Sequence, residues 1–236
     1  MPTFLLGEPY LSILRTLSAS RLPGVSDRRP WGSLERGRIV EAALGIARAE
    51  GLDALTIRRL ATEVGASRMG LYRHVPDKEA LLNLVADEIA MNHVIPDRAL
   101  MGPWDERLRH LARGMRQELR AYPGFAERIM VHGNAGAGGL RIAETIADIL
   151  AAAGLGVGQA ARCYLIFVDL VLGRAHRETH GDPTTPGRNA ELFAAAETSR
   201  DAVRLKALLP ALRAVTGDEI FEAELDILIA AVRAAT

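Results

Sequence analysis

The sequence predicts an all-α protein, a small three-helix unit followed by a larger helical bundle. Three observations carry this. Apolar residues recur at three- and four-residue intervals from about residue 35 onward, with no alternating strand pattern and no repeat. Two short periodic segments meet at Gly65 and Ser67 in a joint too tight for anything but a helical corner. Residues 164–172, Y-L-I-F-V-D-L-V-L, are apolar on nearly every side, as in a helix covered on both faces. The expected organisation is an N-terminal extension over residues 1–32, a helix-turn-helix unit over 33–79 and a helical domain over 80–236.

Composition limits the function before any motif is considered. The chain has 29 Lys and Arg against 29 Asp and Glu, so it lacks the diffuse positive field of a general nucleic-acid binder. Charge is uneven, however: between Leu55 and Lys78 stand Arg58, Arg59, Arg68, Arg73 and Lys78 against Glu63 and Asp77. The single cysteine, Cys163, excludes a disulfide framework within the chain and fits a reducing cytoplasm. No apolar run is long enough to span a bilayer, so no membrane partner is expected.

Residues 1–32 resemble a targeting signal only superficially, because Glu8 and Pro9 interrupt the apolar run and no basic region precedes it. They read as a flexible extension with a short amphipathic stretch at Tyr10 to Leu17; Arg28 and Arg29 could touch the DNA backbone, an ordinary solvated tail being the favoured reading. A first helix is expected over about residues 35–50, with Ile39, Ala42, Ala43 and Ile46 on one face and Gly51 as its stop. Leu52 and Leu55 close its underside. Over residues 56–64, Ile57, Leu60, Ala61 and Val64 share a face, and the Thr56 hydroxyl is placed to cap the first turn. Gly65 ends that helix in the left-handed conformation and Ser67 caps the next. Two short helices so joined make a helix-turn-helix whose second helix fits the major groove of B-DNA.

The run L-Y-R-H-V-P-D-K-E-A-L-L over residues 71–82, after L-T-I-R-R-L-A and G-A-S-R-M-G, resembles the TetR-type (tetracycline-repressor-like) family of bacterial transcriptional regulators. The resemblance implies a homodimer on a double-stranded DNA operator, released by a small-molecule effector. It places Arg58 and Arg68 as readers of base edges, since a guanidinium can make two hydrogen bonds to guanine. Thr56, Tyr72, His74 and Lys78 are expected at phosphates, and Met69 and Gly70 against the groove.

Pro76 and Asp77 start a connector helix through Leu81, Leu82, Val85 and Ile89 to about His93, and residues 96–103 form a loop. Trp104, Leu108, Leu111, Met115 and Leu119 then mark an amphipathic helix with arginines on its other face, ending near Tyr122 and Pro123. After a short segment over 125–132, the run G-N-A-G-A-G-G over 133–139 lacks the Gly-Lys-Ser/Thr ending of a phosphate cradle and reads as a flexible loop. Helices are expected over about 140–153, 157–180 and 218–234, with a surface loop at 181–189 and one weakly patterned helix through about Leu209.

The resemblance pairs the 157–180 and 218–234 helices in a dimer interface through Leu165, Val168, Leu172, Phe221, Leu225, Leu228, Ile229 and Val232. It also requires an effector cavity between connector and bundle. The expected lining is His93, Trp104, Met115, Leu119, His132, Cys163 and Phe167, with Asp169 as a buried acid or else as the ion-pair partner of Arg162 or Arg174. This set favours a hydrophobic or aromatic ligand. Leu111 and Met115 stand where tetracycline-binding relatives present polar contacts, so tetracycline and a bound magnesium are not expected.

Two other functions fit an all-α chain: a helical small-molecule carrier that does not bind DNA, and a catalytic bundle. Against catalysis, His176 and His180 have helical spacing but no Glu in the H-E-x-x-H position. Nor is there a nucleophile elbow or a dinucleotide fingerprint, so no catalytic residue, metal or cofactor is expected.

Overall fold

The computed structural model describes residues 36–179 and 189–236, which form eleven α-helices with two 3-10 turns and no strand among them. The expectations for residues 1–32, including Arg28 and Arg29, and for Glu35, His180 and most of the 181–189 loop fall outside the described residues. No described helix is long and apolar enough to cross a membrane.

Helix α1 (Arg36–Glu50) buries Ile39, Ala43, Ile46 and Ala47 at helical spacing. Helices α2 (Ile57–Val64) and α3 (Arg68–Tyr72) are fixed by local chemistry. The Thr56 hydroxyl accepts from the Arg59 N–H at 3.0 Å and the Ser67 hydroxyl from the Gly70 N–H at 3.1 Å. Between them Gly65 sits at φ 67° and ψ 33°, where a side chain is disfavoured. Leu55, Leu60 and Leu71 are fully buried between the three helices.

Helix α4 (Lys78–Asn92) starts on Asp77, whose carboxylate accepts from the Ala80 N–H at 2.7 Å. Its buried residues, Leu81, Leu82, Val85, Ala86, Ile89 and Ala90, wrap around much of its circumference, so it is covered from several sides. The body comprises α5 (Trp104–Ala121), α6 (Phe125–His132), α7 (Ala137–Ala152), α8 (Val157–Thr179), α9 (Ala190–Thr198), α10 (Val203–Ala214) and α11 (Gly217–Ala234). Helix α4 packs mainly along α7, α5 lies against α7 and α8, and α8 packs on α6 and α11.

Two details differ from expectation. Helix α7 begins three residues earlier than its apolar pattern shows, so residues 137–139 open a helix rather than lengthen a loop. The reason is packing: a Cβ on Gly138 would lie 2.5 Å from the Asp87 carbonyl oxygen and 2.6 Å from the Met91 nitrogen, so α4 and α7 meet backbone to backbone there. The weakly patterned helix is two helices, α9 and α10, separated at Ser199 to Ala202.

The arginine face of α5 is not simply solvated. Arg107 bonds Asp148 at 2.6 Å, Arg109 bonds Asp226 at 2.5 Å, Arg113 bonds Glu222 at 2.7 Å, and Arg116 bonds both Glu178 at 2.6 Å and Asp218 at 2.5 Å. These pairs tie α5 to α7, α8 and α11 at the rim of the core. The three-helix unit is joined to the body as well. The Arg48 guanidinium donates to the Tyr122 hydroxyl at 2.9 Å, and the Leu52 N–H donates to the Pro123 carbonyl at 2.9 Å. Burial pushes the Tyr122 hydroxyl above its ordinary pKa.

Candidate nucleic-acid interface and effector cavity

The helix-turn-helix presents one polar, basic surface. Arg58 on α2 and Arg68 on α3 are both exposed and border the same shallow hollow with Thr62, Gly65 and Ala66. The two residues expected to read bases are therefore neighbours across the turn. Met69 and Tyr72 are 76% and 46% exposed, large apolar surface to leave in water. Gly70 adds nothing that stands above the helix surface, and His74 and Lys78 lie exposed after α3. Thr56 is half-buried with its oxygen engaged as a cap, so it can meet a phosphate only through its hydroxyl proton.

Arg59, counted in the sequence as part of the basic surplus, is not free for DNA. Its guanidinium bonds Glu50 at 2.7 Å and Glu63 at 2.6 Å, and those bonds hold it above the ordinary guanidinium range while lowering Glu50. Arg73, counted in the basic surplus but given no contact role, is exposed beside Tyr72. Its place at the end of the recognition helix was the available signal.

Within the body lies a cavity of about 450 Å³ that α4 reaches with its last turn. Ala90 and Val94 form that wall, Met115 and Leu119 come from α5, and Phe125 and Ile129 from α6. Ile142 and Ile146 of α7 and Tyr164, Val168, Asp169 and Leu172 of α8 face them, and Gly133, Asn134 and Gly139 form part of the rim. The volume suits a drug-sized ligand, and the walls are mostly apolar.

Of the residues expected in this lining, Met115, Leu119 and Asp169 are there. His93 and His132 are exposed at the ends of α4 and α6, while Trp104 and Cys163 are half-buried away from the cavity. Phe167 is fully buried in the core. On α8 the i, i+4, i+8 stripe of Tyr164, Val168 and Leu172 faces the cavity, and Phe167 points off that stripe. Asp169 pairs with neither expected arginine: Arg174 bonds Glu224 at 2.6 Å, and Asp169 has no hydrogen bond or ion pair among the described residues.

The expected dimer residues divide in the same way. Val168 and Leu172 line the cavity, and Phe221, Leu225, Leu228, Ile229 and Val232 are buried inside the single chain, none more than 4% exposed. Of the expected set Leu165 stays exposed, at 61%, and with it on α8 and α11 stand Val157 at 88%, Ile166 at 53% and Ile227 at 71%. Among the described residues no group of three His, Cys, Asp or Glu side chains is arranged to hold a metal.

A helix-turn-helix with an exposed basic face, joined by one helix to a bundle that holds a ligand-sized cavity, defines a DNA-binding regulator. Residues 39–85 match the family described as "Bacterial regulatory proteins, tetR family", and residues 97–236 match "Tetracyclin repressor-like, C-terminal domain". The chain belongs to the TetR family, whose members are DNA-binding transcriptional regulators and not enzymes.

Tetracycline repressor protein class A from transposon 1721 of Escherichia coli is 28% identical over 197 residues, covering 83% of this chain and 89% of that protein. HTH-type transcriptional repressor DrrR1 of Streptomyces coeruleorubidus is 41% identical over 96 residues, which is 41% of this chain and only 36% of DrrR1. The crystal structure of the TetR family protein ActR from Streptomyces coelicolor in complex with actinorhodin superimposes with a TM-score of 0.73 at 29% identity, over 85% of this chain and 96% of that one.

Proposed function

We propose that this chain is a repressor that binds a partly palindromic operator as a homodimer and is released by a small, largely apolar effector, acting in the bacterial cytoplasm where its operator lies. Residues 33–79 read DNA, with Arg58 and Arg68 at base edges, Met69 and Gly70 against the groove, and Thr56, Tyr72, His74 and Lys78 at phosphates. Residues 80–236 bind effector and dimerise. The observation that carries this reading is that one helix, α4, begins where the recognition surface ends and reaches the cavity wall with Ala90, Val94 following just past its end. A ligand pressing on that wall changes the seat of the helix that positions the head. The relatives named for repression, and ActR with a ligand in its crystal structure, support the same role.

In the dimer the seam forms on Leu165, Ile166 and Ile227, on two helices that pack together and leave these side chains uncovered. Two heads related by a two-fold axis then enter successive major grooves about 34–36 Å apart. A full swing from 1:99 to 99:1 requires the ligand to prefer the released state by about 5.5 kcal/mol. Sequencing the genomic DNA that the purified protein retains tests the reading. Enrichment of a palindromic site supports it, and retention of no DNA favours a ligand carrier without operator binding.

A further inference from the structure

The effector cavity holds an uneven set of polar groups. Among the described residues that line it, Asp169 is the one acidic or basic side chain, and Tyr164 and Asn134 supply the other polar side-chain atoms. Asp169 is solvent-exposed and has no hydrogen-bond or ion-pair partner among the described residues: Arg174 is held by Glu224, and no described arginine or lysine lines the walls. Inward from it the surroundings turn apolar at Val168, Leu172, Ile142 and Leu119.

We infer that the cavity selects apolar ligands that carry an N–H or O–H donor, neutral or cationic, and rejects apolar anions, with Asp169 as the selecting group. This rests on the effector-cavity reading above and adds the ligand's charge class to it. A donor that leaves water to reach Asp169 gains a charge-assisted hydrogen bond at the point where it loses hydration. An anion in the same position meets a like charge and finds no cation among the described lining residues to offset it.

Two fluorescent probes with one ring system separate these cases: neutral N-phenyl-1-naphthylamine, with a single N–H, and anionic 8-anilinonaphthalene-1-sulfonate. Each is titrated into the full chain, into Asp169→Asn, and into cavity-filling Ile142→Trp and Ala143→Leu, with thermal unfolding reporting that each variant is folded. The unaltered protein is expected to prefer the amine. Asp169→Asn is expected to reduce the amine-to-sulfonate affinity ratio about tenfold, equivalent to about 1.4 kcal/mol, mainly by tightening the sulfonate. Added salt is expected to narrow the ratio in the unaltered protein and not in Asp169→Asn. An unchanged ratio in Asp169→Asn, while a folded cavity-filling variant loses both probes, overturns the charge selection and leaves the cavity as a ligand site. Undiminished binding of both probes by folded Ile142→Trp and Ala143→Leu overturns the cavity reading, and the charge rule with it.

Discussion

The Asp87 carboxylate accepts a hydrogen bond of 2.6 Å from the Gly138 N–H, so the connector helix α4 caps the first turn of α7 from the side. One residue further on, Gly139 lines the cavity, and three residues along α4, so does Ala90. The contact thus ties the lever that carries the head to the rim of the ligand site. Gly138→Ala would drive a methyl group into the backbone of α4. It is expected to cost about 1–3 kcal/mol and to change operator affinity along with stability. Asp87→Ala is expected to cost about 1 kcal/mol and to raise the effector concentration needed for release. Denaturant melts and operator titrations check both, and full stability in Gly138→Ala would contradict the close packing.

The three arginines Arg58, Arg59 and Arg68 are expected to fall into two roles despite equal charge. Arg68→Ala and Arg58→Ala are each expected to lose about 1–3 kcal/mol on operator and to relax preference at one base pair. Lys78→Ala should weaken operator and random duplex alike. Arg59→Ala should leave base preference unchanged, because Arg59 is held by Glu50 and Glu63. Titrations against operator, single-base variants and random duplex decide it; equal loss on operator and random duplex for Arg68→Ala would remove it from base reading.

Leu165→Asp or Ile227→Glu is expected to give folded monomers with weakened operator binding, since each places a charge on the free face of α8 or α11. Leu228→Asp should instead unfold the body, because Leu228 is buried within the chain. Sedimentation and circular dichroism distinguish the two outcomes.

Met115→Trp is expected to blunt release by effector with operator affinity unchanged in its absence, as the added rings fill the cavity. Phe167→Trp should cost stability by overpacking, about 1–3 kcal/mol, because Phe167 lies in the core and not on the cavity. Release assays and melts on both variants check the contrast.

Acid should loosen the body through its ion pairs. Hydrogen bonds from Arg113 hold Glu222 below its ordinary pKa, and those from Arg116 do the same for Asp218. A carboxylate whose folded pKa is lowered contributes its stability above the unfolded value and loses it as pH falls through the folded one. Melting temperature is therefore expected to fall below the ordinary carboxylate values of 4.5 and 3.8. Glu222→Gln should flatten part of that fall.

The head was legible in the sequence because its signals are local: Thr56, Gly65, Ser67 and Asp77 each fix a helix end within four residues of themselves. The cavity was legible only in part. Helix α8 is apolar on nearly all sides, so periodicity could not say whether Phe167 or Tyr164 and Val168 faced the void; that depends on how α5, α6 and α7 approach it. For the same reason periodicity could not separate the covered face of α11 from its free one. Arg58 and Arg59 look alike in sequence and separate only when Glu50, nine residues upstream of Arg59, comes beside it. Gly138 read as flexible because its reason for being glycine, the backbone of α4, is some fifty residues away, while Gly139 is crowded by the backbone of Asn134.

The central claim is that two heads, held at a fixed spacing by one dimer, read one operator. It is tested most directly by measuring affinity for the recovered operator and for the same operator with about half a helical turn, roughly 5 base pairs, inserted at its centre. Two coupled heads predict that the insertion reduces affinity to that of a single half-site. Equal affinity for both duplexes would contradict the account, because it would mean that each head binds alone and that the spacing set by the body has no part in recognition.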